Sequence, residues 1–367
     1  VRIAVIGPAP PLRGGISQHT AGMAEALSRH GCAVAVFSYA RQYPNVLFPG
    51  TSQRDGGVSV GEEILDVLSP STWRLTADRI SAHDADRVVA QWWHPASAPA
   101  VSAVFSRVRG PARTLVCHNA LPHEWFPAAG SALRRVASRT DEIICHSEYV
   151  AREIRALHVR TPLRVVPVPL LPRGLEPATG SIGEELLDER PRRILFFGHI
   201  RSYKGLEYLL DAWNGRDRGT PAVLSIVGED YRRGAFGRLR ASAEPVRDDV
   251  ERQRRYVSDS GLLRSVARAD ALVLPYVRAS QSGWLPIAAA LGTPVVASDV
   301  GGLREQAAPG QEVRWVRPGD AAELIRALNE AIRRGPRSAA VRREALAQYA
   351  CARRASWRRF CEVLGVS

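Results

Sequence analysis

Twice in this chain a short run that is apolar at nearly every position ends in glycine, opens into a polar loop and continues as a helical pattern. Residues 2–7 (Arg-Ile-Ala-Val-Ile-Gly) do this first, and residues 194–198 (Ile-Leu-Phe-Phe-Gly) do it again. A run with no polar alternation reads as a strand buried on both faces, which is the signature of a parallel sheet covered by helices. Such a sheet needs alternating strands and helices, and the chain supplies them. Strand patterns recur at 32–37, 87–93, 113–119, 142–147 and 164–169 in the first half, with helical patterns at 16–30, 132–138 and from 148. In the second half, strands are expected at 222–228, 255–259, 271–276 and 293–299. Helices are expected at 206–213, 262–269, after 283, at 320–333 and at 347–364.

At 367 residues the chain exceeds the size at which one hydrophobic core usually stops growing, so two domains are expected. Residues 172–193 are rich in Pro, Gly and charge without a sustained pattern and read as the linker. The domains are therefore placed at 1–180 and 190–345, with 346–367 as a terminal helix whose Trp357 and Phe360 pack near the domain junction. The strongly basic stretch 232–255 reads as a solvated helical hairpin.

Composition narrows the function. A formal charge of +13 invites nucleic acid, an anionic membrane face or phosphorylated substrates. Zinc-finger spacing, RNP-like aromatics and dense basic heptads are all missing, which argues against nucleic acid. Arginine replaces lysine nearly everywhere: of 50 basic residues only Lys204 is lysine, a bias that reads as genome composition. The five cysteines are scattered with no Cys-x-x-Cys pair, so no disulfide scaffold or cysteine zinc site is expected and a reducing cytoplasm fits. No apolar stretch nears the roughly 18 residues of a membrane span, and the first residues read as a strand rather than a secretory leader.

The chemistry is expected beyond the carboxyl ends of the strands, where open α/β sheets bind ligands. Gly14 and Gly15 precede the first helix, whose free N–H groups offer an anion site; a plain tight turn is the alternative reading. Trp92 and Trp93 stand at a strand end, either stacking on a sugar or packing in the core. His118 follows another strand and is the histidine expected to face the cleft. Gly198 and Lys204 form a plausible phosphate cradle, the glycine admitting the anion and the cation meeting its charge. Gly283 and its neighbouring hydroxyls open an alanine-rich helix, and 300–305 makes a Gly-Gly turn. Two lobes with glycine loops suit a ligand enclosed between them, as in a sugar-nucleotide enzyme, an epimerase or a binding protein.

Four segments give the pattern a family. Residues 13–15 (Arg-Gly-Gly), 197–205 (Phe-Gly-His-Ile-Arg-Ser-Tyr-Lys-Gly), the Gln281 segment with Gly-Trp-Leu-Pro at 283–286, and 292–305 together resemble the retaining glycosyltransferases of family 4, of the GT-B class. The resemblance covers residues 2–360. It implies two doubly wound Rossmann-like domains facing a central cleft, a nucleotide-diphosphate sugar (UDP-, GDP- or another) held by the C-terminal domain, and an acceptor held by the N-terminal one. It makes Gly15 the glycine that approaches the diphosphate, with Gly14 beside it, and His118 the histidine near the transferred sugar. Lys204 becomes the cation on the leaving diphosphate. The family's partner arginine directly follows the glycine; His199 stands there, and Arg201 two residues on is the substitute. Gly198, Glu229, Tyr256, Gln281, Ser282, Gly283, Trp284, Leu285 and Glu305 complete the expected donor-binding set.

Two positions depart from the family. Its two glutamates separated by seven residues fall on Gln281 and Ala289. Gln281 can still exchange hydrogen bonds with sugar hydroxyls, whereas Ala289 cannot hold a ribose, leaving Glu305 as the ribose candidate. In these changes the chain resembles a branch of the family with Gln-Ser-Gly and Arg-x-Tyr-Lys-Gly. The implied reaction is metal-independent transfer with retention to an acceptor hydroxyl of a soluble metabolite or glycan intermediate. A lipid-linked acceptor at the inner membrane face and a non-catalytic sugar-nucleotide-binding protein are the alternatives. No cofactor is expected beyond the donor co-substrate.

Overall fold

The computed structural model describes residues 1–43, 52–54, 57–123, 125–170, 191–198, 200–228, 248–253, 257, 259–335 and 338–366. The chain divides into two compact units. The first comprises Val1–Phe48, Ser52–Leu171 and Arg354–Ser367, and the second Pro49–Thr51 and Pro172–Arg353.

In the first unit β1 (Arg2–Ile6), α1 (Gly15–Arg29), β2 (Ala33–Arg41), β3 (Glu62–Asp66), α2 (Pro70–Ala82) and β4 (Arg87–Trp92) come first. They are followed by α3 (Ala98–Arg107), β5 (Ala112–Cys117), α4 (Ala129–Ala137), β6 (Glu142–Cys145), α5 (Glu148–Ala156) and β7 (Leu163–Val165). The seven strands are parallel in the order β3-β2-β1-β4-β5-β6-β7. The period of two divides each strand between two cores. Ala4, Ile6, Val88, Ala90, Leu115 and Cys117 enter one layer, and Ile3, Val5, Val89, Val116 and Ile144 the other. Burial on both faces is why these strands read as unbroken apolar runs, each Val, Ile or Leu contributing about 1.5–3 kcal/mol by leaving water. Trp92 and Trp93 are core residues, and Trp93 Nε1 donates to the Tyr43 hydroxyl at 2.6 Å.

The second unit repeats the plan. It contains β8 (Arg192–Phe197), α6 (Leu206–Asn214), β9 (Ala222–Val227), β10 (Val250–Gln253), α7 (Asp259–Arg268) and β11 (Ala271–Leu274). Then come α8 (Trp284–Ala290), β12 (Val295–Ser298), β13 (Val313–Val316), α9 (Ala321–Arg334) and α10 (Ala339–Val363). Its six parallel strands run β10-β9-β8-β11-β12-β13. Ile194, Phe196, Leu209, Trp213, Leu224, Val273 and Leu328 form its core.

Several expectations shift. Residues 250–253 are not helical: Val250 pairs with Leu224 as an edge strand, and the charges at Glu251 and Arg252 suit an edge that faces solvent. Of the strand expected at 255–259, residues 255, 256 and 258 lie outside the described residues, and Asp259 already begins a helix. Most of the expected basic hairpin, most of the linker, and His199, Glu229 and Tyr256 lie outside the described residues. The Gly-Gly turn at 301–302 leads to a single 3₁₀ turn, Arg304–Gln306. The last helix begins at Ala339, eight residues before the expected start. Its final residues belong to the first unit, where Trp357, Phe360, Cys361 and Leu364 pack on Met23, Leu27, Val116 and Ile144. Trp357 also donates to the Leu170 carbonyl at 3.1 Å, and a Cβ on Gly22 would run into its ring.

Candidate functional site

In the second unit the strand order reverses between β8 and β11, and ligands of open α/β sheets bind beyond the carboxyl ends of strands at such a point. The segment after β8 is 198–205 and the one after β11 is 275–284. Gly198 leaves the strand with φ 113°, its N–H bonded to the Val227 carbonyl at 2.9 Å. A single 3₁₀ turn, Ser202–Lys204, follows, and Gly205 with φ 69° opens α6. Gly205 must be glycine twice over, because the conformation is left-handed and a Cβ would strike the Pro275 carbonyl. The Tyr203 carbonyl accepts from Val277 at 2.8 Å, locking the two segments together.

This framework folds Lys204 back over Gly198, where a Cβ would meet its Nζ. The ammonium lies 5.4 Å from the Tyr276 ring centre, and among the described residues no carboxylate pairs with it. Burial, and then the neighbouring Arg201 charge, pull its pKa down to about 8. Two cations therefore repel each other in a half-buried corner, an arrangement that an anion relieves. Tyr276 is buried, and its burial together with nearby Tyr203 keeps the phenol protonated against the opposing hydrogen bond with Ser282. Trp284 packs edge-on to Phe197 with ring centres 4.2 Å apart.

The structure thus gathers Gly198, Arg201, Lys204, Ser282 and Trp284 around the switch point and adds Tyr276, which the sequence reading passed over as the end of a strand. Leu285 differs from expectation. Its side chain is fully buried, its N–H bonds to Ser282 and its carbonyl accepts from Gln311 at 2.8 Å, so it supports the site from within the fold. Gln281 and Ala289 are half-buried, and Glu305 is exposed in the 3₁₀ turn beside Arg304.

In the first unit the reversal lies between β1 and β4. Gly14, with φ 110°, precedes α1 without any side-chain cap, and space around Gly14 and Gly15 is open. The first N–H groups of α1 are left to point outward. His118 keeps its place after β5 but not its expected openness. It is 2 % exposed, and its Nε2–H donates to Gln91 Oε1 at 2.6 Å. The physical reason is lateral: β5 and β6 pair Cys117 with Cys145, so His118 comes to lie beside His146, and α1 lays His19 over both. His19 and His146 were not singled out from sequence, although the repeated Cys-His at two strand ends was a readable signal.

Comparison with known proteins follows the same division. A family described as Glycosyltransferase Family 4 matches residues 13–170, and one described as Glycosyl transferases group 1 matches residues 191–334. Each model matches less than half of the chain, which is similar to these glycosyltransferases and shares the two-domain α/β architecture of the GT-B fold. Two curated proteins of Xanthomonas campestris pathovar campestris, both described as GDP-mannose:glycolipid 4-beta-D-mannosyltransferase, are 34% and 33% identical over 159 residues. Each match covers 41% of this chain and 43% of the relative, less than half the relative's length. Among solved structures, sucrose-phosphate synthase from Thermosynechococcus elongatus aligns with a TM-score of 0.71 at 17% identity, over 100% of both chains. Anabaena HepE, solved with UDP, gives the same TM-score, identity and coverage. At these identities the likeness is one of fold.

Proposed function

We propose that this protein transfers a hexosyl group from a nucleotide-diphosphate sugar to an acceptor hydroxyl, with the second unit binding the donor. The observation that carries the reading is Lys204 and Arg201 sharing one corner at the β8/β11 switch point with, among the described residues, no carboxylate paired with Lys204. In this reading the corner holds the diphosphate, and its charge counters the negative charge that develops as the nucleotide departs, a stabilisation present mainly in the transition state. Positive side chains then do the electrostatic work of a divalent cation, so turnover should not rise on adding Mg²⁺ or Mn²⁺. Gly198 admits the phosphates closely, Trp284 and Ser282 line the donor side, and Gly14–Gly15 in the first unit offers N–H donors to an anion. His118 is given no part in the transfer, because its ring is enclosed by Gln91, His19 and His146.

The acceptor we favour is lipid-linked. Both curated relatives are described as acting on a glycolipid, and the first unit exposes Trp125 (88 %) and Leu121 (37 %) close in sequence to the exposed Arg134 and Arg135 of α4. An exposed indole and an exposed leucine, with cations a few residues further along the chain, suit the interface of an anionic bilayer. Front-side transfer with retention is what the family 4 resemblance implies. A second stereochemical reading is inversion, favoured by the β-linkage in the relatives' descriptions and by Gln281 and Ala289 standing where two glutamates are usual. An α-linked donor that yields a β-glycoside is inverted, and one that yields an α-glycoside is retained. The test is a thermal-shift panel of UDP-, GDP- and ADP-sugars, followed by turnover with lipid-linked and soluble acceptors and NMR of the first-formed anomer. A ligand specific to the folded state at a hundred times its Kd adds about 2.7 kcal/mol to stability. No shift with any sugar nucleotide would overturn the donor assignment.

A further inference from the structure

Three histidines that play no part in the proposed donor site converge inside the first unit. Parallel pairing of Cys117 with Cys145 sets His118 and His146 side by side. The strand period puts them on the same face as Val116 and Ile144, the face covered by α1. His19, one turn before Met23 on α1, completes the group. Ring centres are 4.8 Å apart for His19 and His118, 5.1 Å for His19 and His146, and 5.2 Å for His118 and His146. One nitrogen from each ring lies within 4.8 Å of the other two.

The outer edges of two of these rings are already committed. His118 Nε2–H donates to Gln91 Oε1, and His146 Nδ1–H donates to the Val166 carbonyl at 3.0 Å. Those bonds fix the tautomers, so His118 Nδ1 and His146 Nε2 present lone pairs. Histidines that bind metals are held in this way, the second nitrogen donating to an oxygen of the protein. His19 is 0 % exposed, and neither of its ring nitrogens makes a hydrogen bond. Leaving a buried polar group unsatisfied carries its full desolvation cost, which simple packing would have no reason to bear.

We propose that His19, His118 and His146 hold a zinc ion. With Zn–N bonds of about 2.0–2.1 Å and tetrahedral angles, imidazole ring centres should be about 5.2 Å apart and ligand nitrogens about 3.4 Å apart. The ring centres already match, and the nitrogens close by at most about 1.4 Å, within reach of ring rotation. Burial holds all three imidazoles below their usual range, His146 at about 4, so they are neutral as ligands must be. Trp357 and Phe360 roof the group, with ring centres 5.1 Å and 5.4 Å from His19. Three nitrogens leave one position of a tetrahedral zinc for a non-protein ligand such as water. The ion would tie α1 to the ends of β5 and β6 as a structural clamp.

The test is metal content and stability of the full chain after exposure to ZnCl₂ and passage over a chelating resin. One zinc per chain by plasma mass spectrometry is expected, with a zinc-dependent rise in Tm and visible tetrahedral absorption when Co²⁺ replaces zinc. His19→Leu and His146→Ala should each lose the metal and the rise in Tm. His19→Leu separates the alternatives independently of folding. If the cluster is mere packing, removing the unsatisfied ring stabilises the protein and zinc changes neither chain's Tm. Wild type carrying less than about a tenth of an equivalent of zinc, or variants that bind as much as wild type, would overturn the proposal. Thermal shift with sugar nucleotides reads the donor site separately, so failure of one assignment leaves the other measurable.

Discussion

The two units use one architecture to opposite ends. Each is a parallel sheet whose strand order reverses beside its first strand, and each places basic or titratable side chains at strand ends. In the first unit the histidines at those ends are sealed beneath Trp357 and Phe360 and held neutral. In the second, Lys204 and Arg201 stand half-buried and remain cationic near neutral pH, with Lys204 set close to titration. The difference lies in what covers the strand ends. A helix face that carries aromatic rings removes water and discharges its neighbours, whereas a glycine loop leaves room and keeps charge available for a ligand.

The contrast can be broken most forcefully at the seal. Trp357→Ala empties a fully packed position and should cost the first unit about 3–5 kcal/mol, lowering Tm on the order of 10 °C. Nucleotide affinity in the second unit should be unchanged below that Tm; a parallel loss of affinity would mean the two regions are not independent. Lys204→Ala tests the open corner. Turnover should fall by roughly 10²–10³-fold with Tm within a few degrees, measured by nucleotide release; unchanged turnover in a folded variant removes Lys204 from the mechanism.

A finer test uses pH. Lys204 has its pKa lowered to about 8, and a bound diphosphate favours the ammonium form. Affinity for a nucleoside diphosphate should therefore be level below pH 8 and weaken as pH rises through that value, by up to about tenfold per unit. Arg201→Ala removes the second cause of the depression and should move the break to higher pH, while Lys204→Arg should flatten it. The histidine cluster predicts no such break in this range, because its groups are already neutral well below it.

Much of this was legible in the chain. The apolar runs ending in Gly7 and Gly198 announced parallel strands buried on both faces. Lys204 stood out as the only lysine, in a loop that Gly198 opens. Local chemistry was enough there because the Lys204 corner is built from residues close in sequence, at a strand end, a turn and a helix start. His118 was found but misread as open. Its surroundings come from His19 and His146, 99 and 28 positions away, and from a terminal helix whose Trp357 returns to the first unit. Leu285 entered the expected donor set with the Gly-Trp-Leu-Pro segment of the family resemblance, and its side chain turns inward.

The sequence by itself determined the repeated strand-loop-helix alternation, the glycine positions and the cationic loop, since each depends on backbone sterics or on neighbours a few residues apart. Tertiary structure alone decided which strand ends are sealed and which stay open. That choice rests on parallel register, which sets Cys117 beside Cys145, and on one helix face closing over the imidazoles, neither of which any local pattern encodes.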